Sequence, residues 1–442
     1  MPTPHSPDYW SEVETWSRDR IEAFQLQALQ RQLAYVECNG AWYQRSWAEL
    51  GFESGDLRTL EDLRGLPMVR KSDFVASLDA EPPWSEMLAA PLDEVTRVHF
   101  SSGTTSAPTP VCWTAADLDR WADLYARSAY SQGVRRHDVY QSLFGYAWFV
   151  GGLGVTNAYA QIGCTVIPGG SSETERQIDV METYGTTAVS GTPSFMLHLA
   201  ETAERLGRPL TGNAVRRIQV GGEPGGAIPE TRAFIEERWG AKVFDGYGSL
   251  EFQPIAWECE HQTGGHLAED FALAEVVDAE TGEPVPDGTP GVLVLTHLDK
   301  QATPFVRWWT GDVVVRSTEP CSCGRTLARL PGGVIGRGDD MLVVRGVNLF
   351  PSSVENLIRA TPGATGEHLI VLDDDVTDSR TGYLTGIKVR VEVEAGREEE
   401  TAAYLTKAIR AELTVRAMVE PVRHGSLERS THKSKRVVRT TS

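Results

Sequence analysis

Residues 97–110 read RVHFSSGTTSAPTP, a short alternating run that ends in hydroxyl residues clustered around one glycine. Ser101, Ser102, Thr104 and Thr105 bring hydroxyl donors, and Gly103 lets the backbone come close to a ligand. Successive amides in such a turn form a concave nest for an anion without any charged side chain. No lysine or arginine lies between Ser101 and Pro110, so the cation that a phosphate calls for must come from elsewhere. The GxxxxGK[ST] pattern of nucleoside triphosphatases is absent, which argues against ordinary phosphoryl transfer to a hydroxyl. Alone, the cluster reads equally well as a plain loop. Its neighbours decide.

On its C-terminal side the pattern becomes one of short apolar runs alternating with helical stretches. VRRIQVGGEP, AKVFDGYGS and GVLVLTHL read as strands that end in glycine-rich turns, and PETRAFIEERWG reads as a helix. Such alternation predicts an α/β architecture with ligands at the strand ends. On its N-terminal side the chain reads as helices joined by loops, with WSEVETWSRDRIEAFQLQALQRQL predicted as an amphipathic helix. The stretch 139–172 carries no formal charge, but glycines and Gln141, Asn157 and Gln161 interrupt it. A buried helix followed by a short strand, CTVIP, is expected there rather than a membrane span. Beyond VIGRGDDMLVVRG the strands HLIVLDDD and GIKVRVEVE and the helix REEETAAYLTKAIRAELTVRA form a separate module. We therefore expect an N-terminal domain over 1–338 and a C-terminal one over 339–442.

The totals bound the partners. The chain has 442 residues, 41% hydrophobic and 23% charged, as in ordinary globular proteins. Its net charge of −19 disfavours duplex nucleic acid or an anionic membrane as the main partner. The first residues lack a basic region followed by an apolar run, and six scattered cysteines do not suggest a disulfide framework. A cytoplasmic protein is expected.

GGEP at 221–224, YGSLE at 247–251, TGD at 310–312 and GRGDDMLVVRG at 336–346 follow SSGTT in that order. Together they resemble the core motifs of the adenylate-forming enzymes: acyl-CoA synthetases, adenylation domains and luciferases. RVHFSSGTT, FGYAWFVGGLG, TVIPGG, GTPSFM, EPCSCGRT and GRGDDMLVVRGVNLFPSSVE further resemble the phenylacetate–CoA ligase branch. The resemblance implies a large multilayer N-terminal adenylate-forming domain with a small mobile α+β C-terminal domain. It also implies a two-step reaction. A carboxylate, here an aromatic acid, attacks the α-phosphate of ATP and expels pyrophosphate; a thiol such as CoA then takes the acyl group. The family often forms homodimers.

The same resemblance implies the roles of individual residues. Ser101, Ser102, Gly103, Thr104 and Thr105 would hold the β- and γ-phosphates, and Glu251 would bind Mg²⁺ as a hard carboxylate. Asp312 would accept hydrogen bonds from the ribose hydroxyls, Arg337 would approach the ribose from the other side, and Gly222, Glu223, Pro224 and Tyr247 would flank the adenine. Where many members carry glycine and then lysine in the phosphate loop, this chain has Ser106 and Thr109. The missing charge is expected from RSTHKSKRVVR, which resembles the C-terminal catalytic lysine motif with His432 before Lys433; Lys435 is the alternative. Asp339 would be the hinge about which that lysine enters and leaves. Tyr146, Phe149, Gly151 and Gly152 would line the acid pocket.

CEHQTGGH and CSC supply a separate signal, since two short clusters can build a closed Cys₃His zinc site. Its ligands would be Cys259, Cys321, Cys323 and one of His261 or His266; relatives with zinc favour His266. Two rival functions remain at this point. The acyl group could pass to a carrier protein, an amine or a hydroxyl. Alternatively, with Ser106 and His432 departing from the pattern, the chain could be a nucleotide-binding regulator without turnover.

Overall fold

The computed structural model describes residues 4–101, 108–148, 150–223, 225–337, 342–345, 347–349, 351–427 and 437–440. The N-terminal part is helical, but the helix expected from Trp10 is broken. Glu12–Thr15 is a 3-10 turn, Trp16 is extended, and α1 (Arg18–Asn39) starts afresh where Ser17 accepts the Arg20 N–H as an N-cap. α2 (Ala41–Leu50) and α3 (Lys71–Ala80) follow. Leu29, Leu33, Tyr43, Trp47 and Phe74 from these helices enter the largest core, beside Trp113, Phe252, Phe305 and Trp308. Each such buried side chain contributes about 1.5–3 kcal/mol relative to exposure. β1 (Val95–Phe100) and β2 (Pro110–Thr114) pair antiparallel with Phe100 opposite Pro110, so residues 101–109 connect a two-stranded ribbon. Thr114 then caps α4 (Ala115–Ser131) through a reciprocal pair with Asp117.

The expected alternation follows: β3 (Val139–Ser142), α5 (Gly151–Ile162), β4 (Thr165–Ile167), α6 (Thr174–Tyr184), β5 (Ala188–Gly191), α7 (Pro193–Arg205), β6 (Arg217–Val220), α8 (Pro229–Trp239) and β7 (Lys242–Tyr247). β3 corrects the reading of the uncharged stretch as a helix and one strand. Its Gln141 disguises it: the amide is fully buried, bonded to Gln177 and Thr186 rather than to water. The five strands lie parallel in the order β4-β3-β5-β6-β7, and β8 (Ala256–Trp257), β9 (Gly265–Leu267) and β13 (Arg329–Leu330) extend the sheet antiparallel beyond β7. One layer of core comes from α6, α7 and α8, through Ile178, Met196, Leu199, Ile235 and Trp239. Another comes from α4 and α5, through Ala126, Tyr130, Val155 and Tyr159. A second, four-stranded antiparallel sheet has the order β10-β11-β12-β14, built from β10 (Ala272–Val277), β11 (Pro290–His297), β12 (Trp308–Val315) and β14 (Val334–Arg337).

The chain divides into two compact units, one of Met1–Phe100 and Thr109–Gly338 and a smaller one of Ser101–Pro108 and Asp339–Ser442. The smaller has a hairpin, β15 (Leu342–Val344) and β16 (Val347–Leu349), then α9 (Pro351–Ala360), β17 (Ala364–Leu372), β18 (Ile387–Val393), α10 (Glu398–Glu412), β19 (Ala417–Arg423) and β20 (Val437–Arg439). Its sheet runs β19-β18-β17-β20 over a core of Val354, Ile358, Ile370, Val389, Leu405 and Ile409. The helix expected to reach Ala417 stops at Glu412, because Thr414 turns the chain with φ of 58° and Ala417 opens a strand. Glu392, fully buried on β18, accepts the Gly425 and Leu427 N–H groups at 2.9 and 2.8 Å, fixing the chain just ahead of residues 428–436. No helix among the described residues is long and apolar enough to cross a membrane.

Candidate active site and metal cluster

The strand order locates a crevice. The chain leaves β3 outward to β4, then returns to the other side of β3 with β5, so the direction of winding reverses between β3 and β5. In open α/β sheets ligands sit outside the carboxyl ends of the strands at such a reversal. The segments leaving those ends are 143–148 after β3, Thr192 after β5, 221–223 after β6 and Gly248 onward after β7. Every one belongs to a motif singled out from the sequence.

At the phosphate loop, Ser101 follows β1 and Thr109 precedes β2. Lys71, at the start of α3, places Nζ 2.7 Å from Thr109 Oγ1 and 2.9 Å from Glu251 Oε1. This lysine was not anticipated. It lies far from the motif in sequence, in PMVRKSDF, and only the fold brings it to the base of the loop. Burial pushes the Glu251 carboxyl up, but the charge and hydrogen bond of Lys71 outweigh it and hold the group below its ordinary value. An ionised, nearly buried carboxylate beside a loop suited to phosphate fits a hard divalent cation such as Mg²⁺. Behind it, Phe252 stacks on the neutral, buried His297 ring with centroids 3.8 Å apart and planes at 7°.

At the end of β7, Tyr247 donates to Asp312 Oδ2 at 2.5 Å, joining β7 to β12. Asp312 also stands opposite Arg337 in the β12–β14 register. Glu223 accepts the Ser194 N–H at 2.6 Å, at the amino end of α7, where the helix dipole favours a negative group. Gly222 takes φ of 84°, which a side chain would resist. Asp245, on β7, is pushed up to about 7 by burial and then by the charge of Glu258, whose own partner is Arg232 at 2.7 Å.

Beyond the end of β3, the Tyr146 hydroxyl lies 2.9 Å from Thr156 Oγ1, and a Cβ on Gly152 would stand 3.1 Å from the tyrosine ring. A Cβ on Gly151 would lie 3.5 Å from the Phe144 ring. Trp148 leaves 66% of its surface exposed, while its carbonyl accepts the Phe100 N–H at 3.0 Å.

Cys259, His266, Cys321 and Cys323 converge, with one ligand atom from each inside 4.8 Å of all the others. Cys259 Sγ lies 3.9 Å from Cys321 Sγ, and Cys323 Sγ lies 3.7 Å from His266 Nε2. A tetrahedral zinc centre with ordinary bond lengths has sulfur–sulfur edges of about 3.8 Å and sulfur–nitrogen edges of about 3.6 Å. The donor set therefore fits zinc. His261 borders the cluster but is not in the ligand set: it is exposed, with Nδ1 2.8 Å from Oγ of Ser322, the residue between Cys321 and Cys323. An N-terminal strap covers the cluster: Tyr9 donates to the Cys323 carbonyl at 3.1 Å, and buried Arg325 pairs with Glu14.

Several expected residues lie outside the described ones: Ser102, Gly103, Thr104, Thr105, Ser106, Phe149, Pro224, Asp339, His432, Lys433 and Lys435. Of Arg337 only the backbone is described.

The family model "AMP-binding enzyme" matches residues 35–297, and "AMP-binding enzyme C-terminal domain" matches 346–440. Over 388 residues the chain is 38% identical to a phenylacetate-coenzyme A ligase of Thermus thermophilus, covering 87% of this chain and 84% of that one. It is 35% identical to the phenylacetate-coenzyme A ligase of Aromatoleum evansii, covering 98% and 97%. Among solved structures, 2-hydroxyisobutyryl-CoA ligase in complex with 2-HIB-AMP and CoA superimposes with a TM-score of 0.92 at 30% identity, covering 100% and 94%.

Proposed function

The chain belongs to the AMP-binding enzyme family and is an AMP-forming acid–thiol ligase, and from that premise we propose that its acid is aromatic, of the phenylacetic or benzoic type, and its thiol is coenzyme A. The observation that supports this reading most is the Lys71–Glu251 pair at the foot of the 101–109 loop. It supplies what the loop itself lacks, a cation at the phosphates, and it keeps a carboxylate ionised for the metal that accompanies ATP.

On this reading the acid's carboxylate oxygen attacks the α-phosphorus, and the bond to the β,γ-pyrophosphate breaks. An anion approaches a polyanion, so the rate depends on charge placed in advance around the phosphates. Lys71 and the hydroxyls and amides of Ser101–Thr105 act at the leaving pyrophosphate, and Lys433 bridges the acid and the α-phosphate. Mg²⁺, when bound at Glu251, neutralises phosphate charge. Asp312 takes the ribose hydroxyls, aligned by Tyr247, while Arg337 approaches from the other side. Gly222, Glu223 and Pro224 flank the adenine. In the second step the CoA thiolate attacks the acyl carbon and AMP leaves. For that exchange we assign residues 1–338 to the ATP- and acid-binding body and 339–442 to a lid that turns at Asp339. We assign zinc a structural role, since four protein ligands leave no open position. A cytoplasmic setting suits the free thiols and the supply of ATP and CoA.

Coenzyme A is preferred over a carrier protein, an amine or a hydroxyl because the similar proteins are named as CoA ligases. Pyrophosphate exchange with phenylacetic, benzoic, hydroxybenzoic, aminobenzoic and 2-hydroxyisobutyric acids, followed by mass analysis of products with CoA, tests the proposal. Exchange confined to aliphatic acids, or no thioester from the acid that exchanges, would refute it.

A further inference from the structure

The ribbon that carries the phosphate loop has little sheet to hold it. Among the described residues β1 pairs only with β2, and an isolated two-stranded pair is marginal by itself. What the end of β1 touches therefore decides where the loop begins. Its last two residues both reach the segment that leaves β3. The Phe100 N–H donates to the Trp148 carbonyl at 3.0 Å, and His99 Nδ1 lies 3.2 Å from the same oxygen. A carbonyl oxygen only accepts, so Nδ1 carries the proton in that bond. The Trp148 side chain is mostly exposed and adds one loose ring contact with Phe100 at 6.0 Å, so the carbonyl is the firmer tie. On the other side the tie is anchored by packing. The His99 ring is buried, nearly perpendicular to Trp121 at 5.4 Å and to Trp113 at 6.4 Å. Those two indoles stack on each other with centroids 4.5 Å apart.

We propose that His99 is a positioning residue for the adenylation step: by donating from Nδ1 to the Trp148 carbonyl, it sets the segment 143–148 against the strand that enters the phosphate loop. The proposal rests on the reading above that this segment meets the acid and the 101–109 loop the phosphates. Adenylation joins two separate substrates, so its rate depends on how often the carboxylate oxygen stands in line with the α-phosphorus. Once the acyl-adenylate exists, a covalent bond sets that spacing, and transfer to CoA no longer depends on the tie.

The test uses the full chain and two substitutions of opposite kind. His99→Phe keeps a ring against the indoles and removes the donor. His99→Asn loses the ring but puts an amide nitrogen as many bonds from Cα as Nδ1. The Phe100 bond remains in both, so the tie is loosened and not lost. In His99→Phe the single-turnover rate of adenylation is expected to fall about tenfold, the worth of one hydrogen bond, while the KM for ATP and the transfer from preformed acyl-adenylate stay within about twofold. His99→Asn is expected to melt lower, having lost its aromatic contacts, yet to keep most of the adenylation rate per folded molecule. The opposite order, an unchanged rate in His99→Phe, or an equal loss in both steps overturns the proposal, since each makes the ring a packing element only. Should His99→Phe fail to fold, His99→Ala against His99→Asn decides: recovery of the rate by asparagine supports the proposal, and equal loss in the two overturns it. Tyr146→Ala checks the underlying reading separately. An unaltered ranking of acids in that variant would show that the segment does not meet the acid, and the proposal would fall with it. If only aliphatic acids are activated, the aromatic reading falls, while the same variants measured with such an acid still decide the role of His99.

Discussion

The two ends of the eight-stranded sheet handle polar groups in opposite ways. Along the parallel half, polar side chains pair at open strand ends: Glu251 with Lys71 and Tyr247 with Asp312, while Asp245 is pushed up to about 7. Beyond β7, where the strands turn antiparallel, four ligand atoms close on one another under an N-terminal strap. An incompletely satisfied polar group is costly to fold and useful for binding; a saturated one is the reverse. On the proposed function, the first half would exchange ligands and the second would keep one. If the contrast is right, substitutions at the open end should lower activity with little loss of stability, and those at the closed end should do the opposite.

The largest effect is expected at the open end. Glu251→Gln should lower the adenylation rate by about 10²–10³-fold, comparable to the loss of a preorganised electrostatic partner at a developing charge. The melting temperature should fall far less than the activity, because the amide keeps the shape of the side chain and Lys71, 41% exposed, can be solvated once the pair is lost. Lys71→Ala should act in the same direction. Lys433→Ala should impair adenylation far more than transfer from preformed acyl-adenylate to CoA. A Glu251→Gln protein that melts much lower while its activity per folded molecule is unchanged would break the contrast.

At the closed end the expectation inverts. Cys321→Ser, or removal of metal by a strong chelator, should lower the melting temperature by roughly 5–10 °C, as for the loss of several kcal/mol in a domain of this size. Exchange activity at low temperature should persist. Proteolysis near Tyr9 and Glu14 should quicken, since the strap is anchored on the Cys321–Arg325 turn. Metal analysis of the purified protein with no zinc bound, together with an unshifted melting curve in chelator, would remove the closed half of the comparison.

Much of this was legible in the sequence, and the gaps share a cause. The strands at β6, β7, β11, β17 and β18 were read correctly because their apolar runs stop at glycine or charge within a few residues. β3 was missed because a buried amide occupies one of its core positions, and hydropathy cannot tell a glutamine bonded inside from one facing water. The cysteine cluster was legible because its ligands come in short, chemically distinctive groups. Lys71 was not, since a lysine opening a helix looks like any surface lysine until the fold sets it beside Thr109.

A smaller and more diagnostic effect belongs to Asp245. Burial, and next the charge of Glu258, raises its carboxyl to about 7 from an ordinary value near 4. A carboxyl whose folded value is raised binds its proton more tightly when folded. Folding is therefore not penalised below about pH 4, loses stability as the pH climbs towards 7, and carries the full penalty above it. Asp245→Asn keeps the shape and removes the charge. It should melt higher than the unaltered protein at pH 8, by a few degrees; the gap should shrink by more than half at pH 5 and close towards pH 4. If the open end serves the nucleotide, the same substitution should raise the KM for ATP, so that stability is gained where binding is lost. A gap in melting temperature that persists unchanged at pH 5 would mean the carboxylate is not the source of the strain. A gain in stability with no change in KM would mean that Asp245 belongs to the scaffold and not to the site.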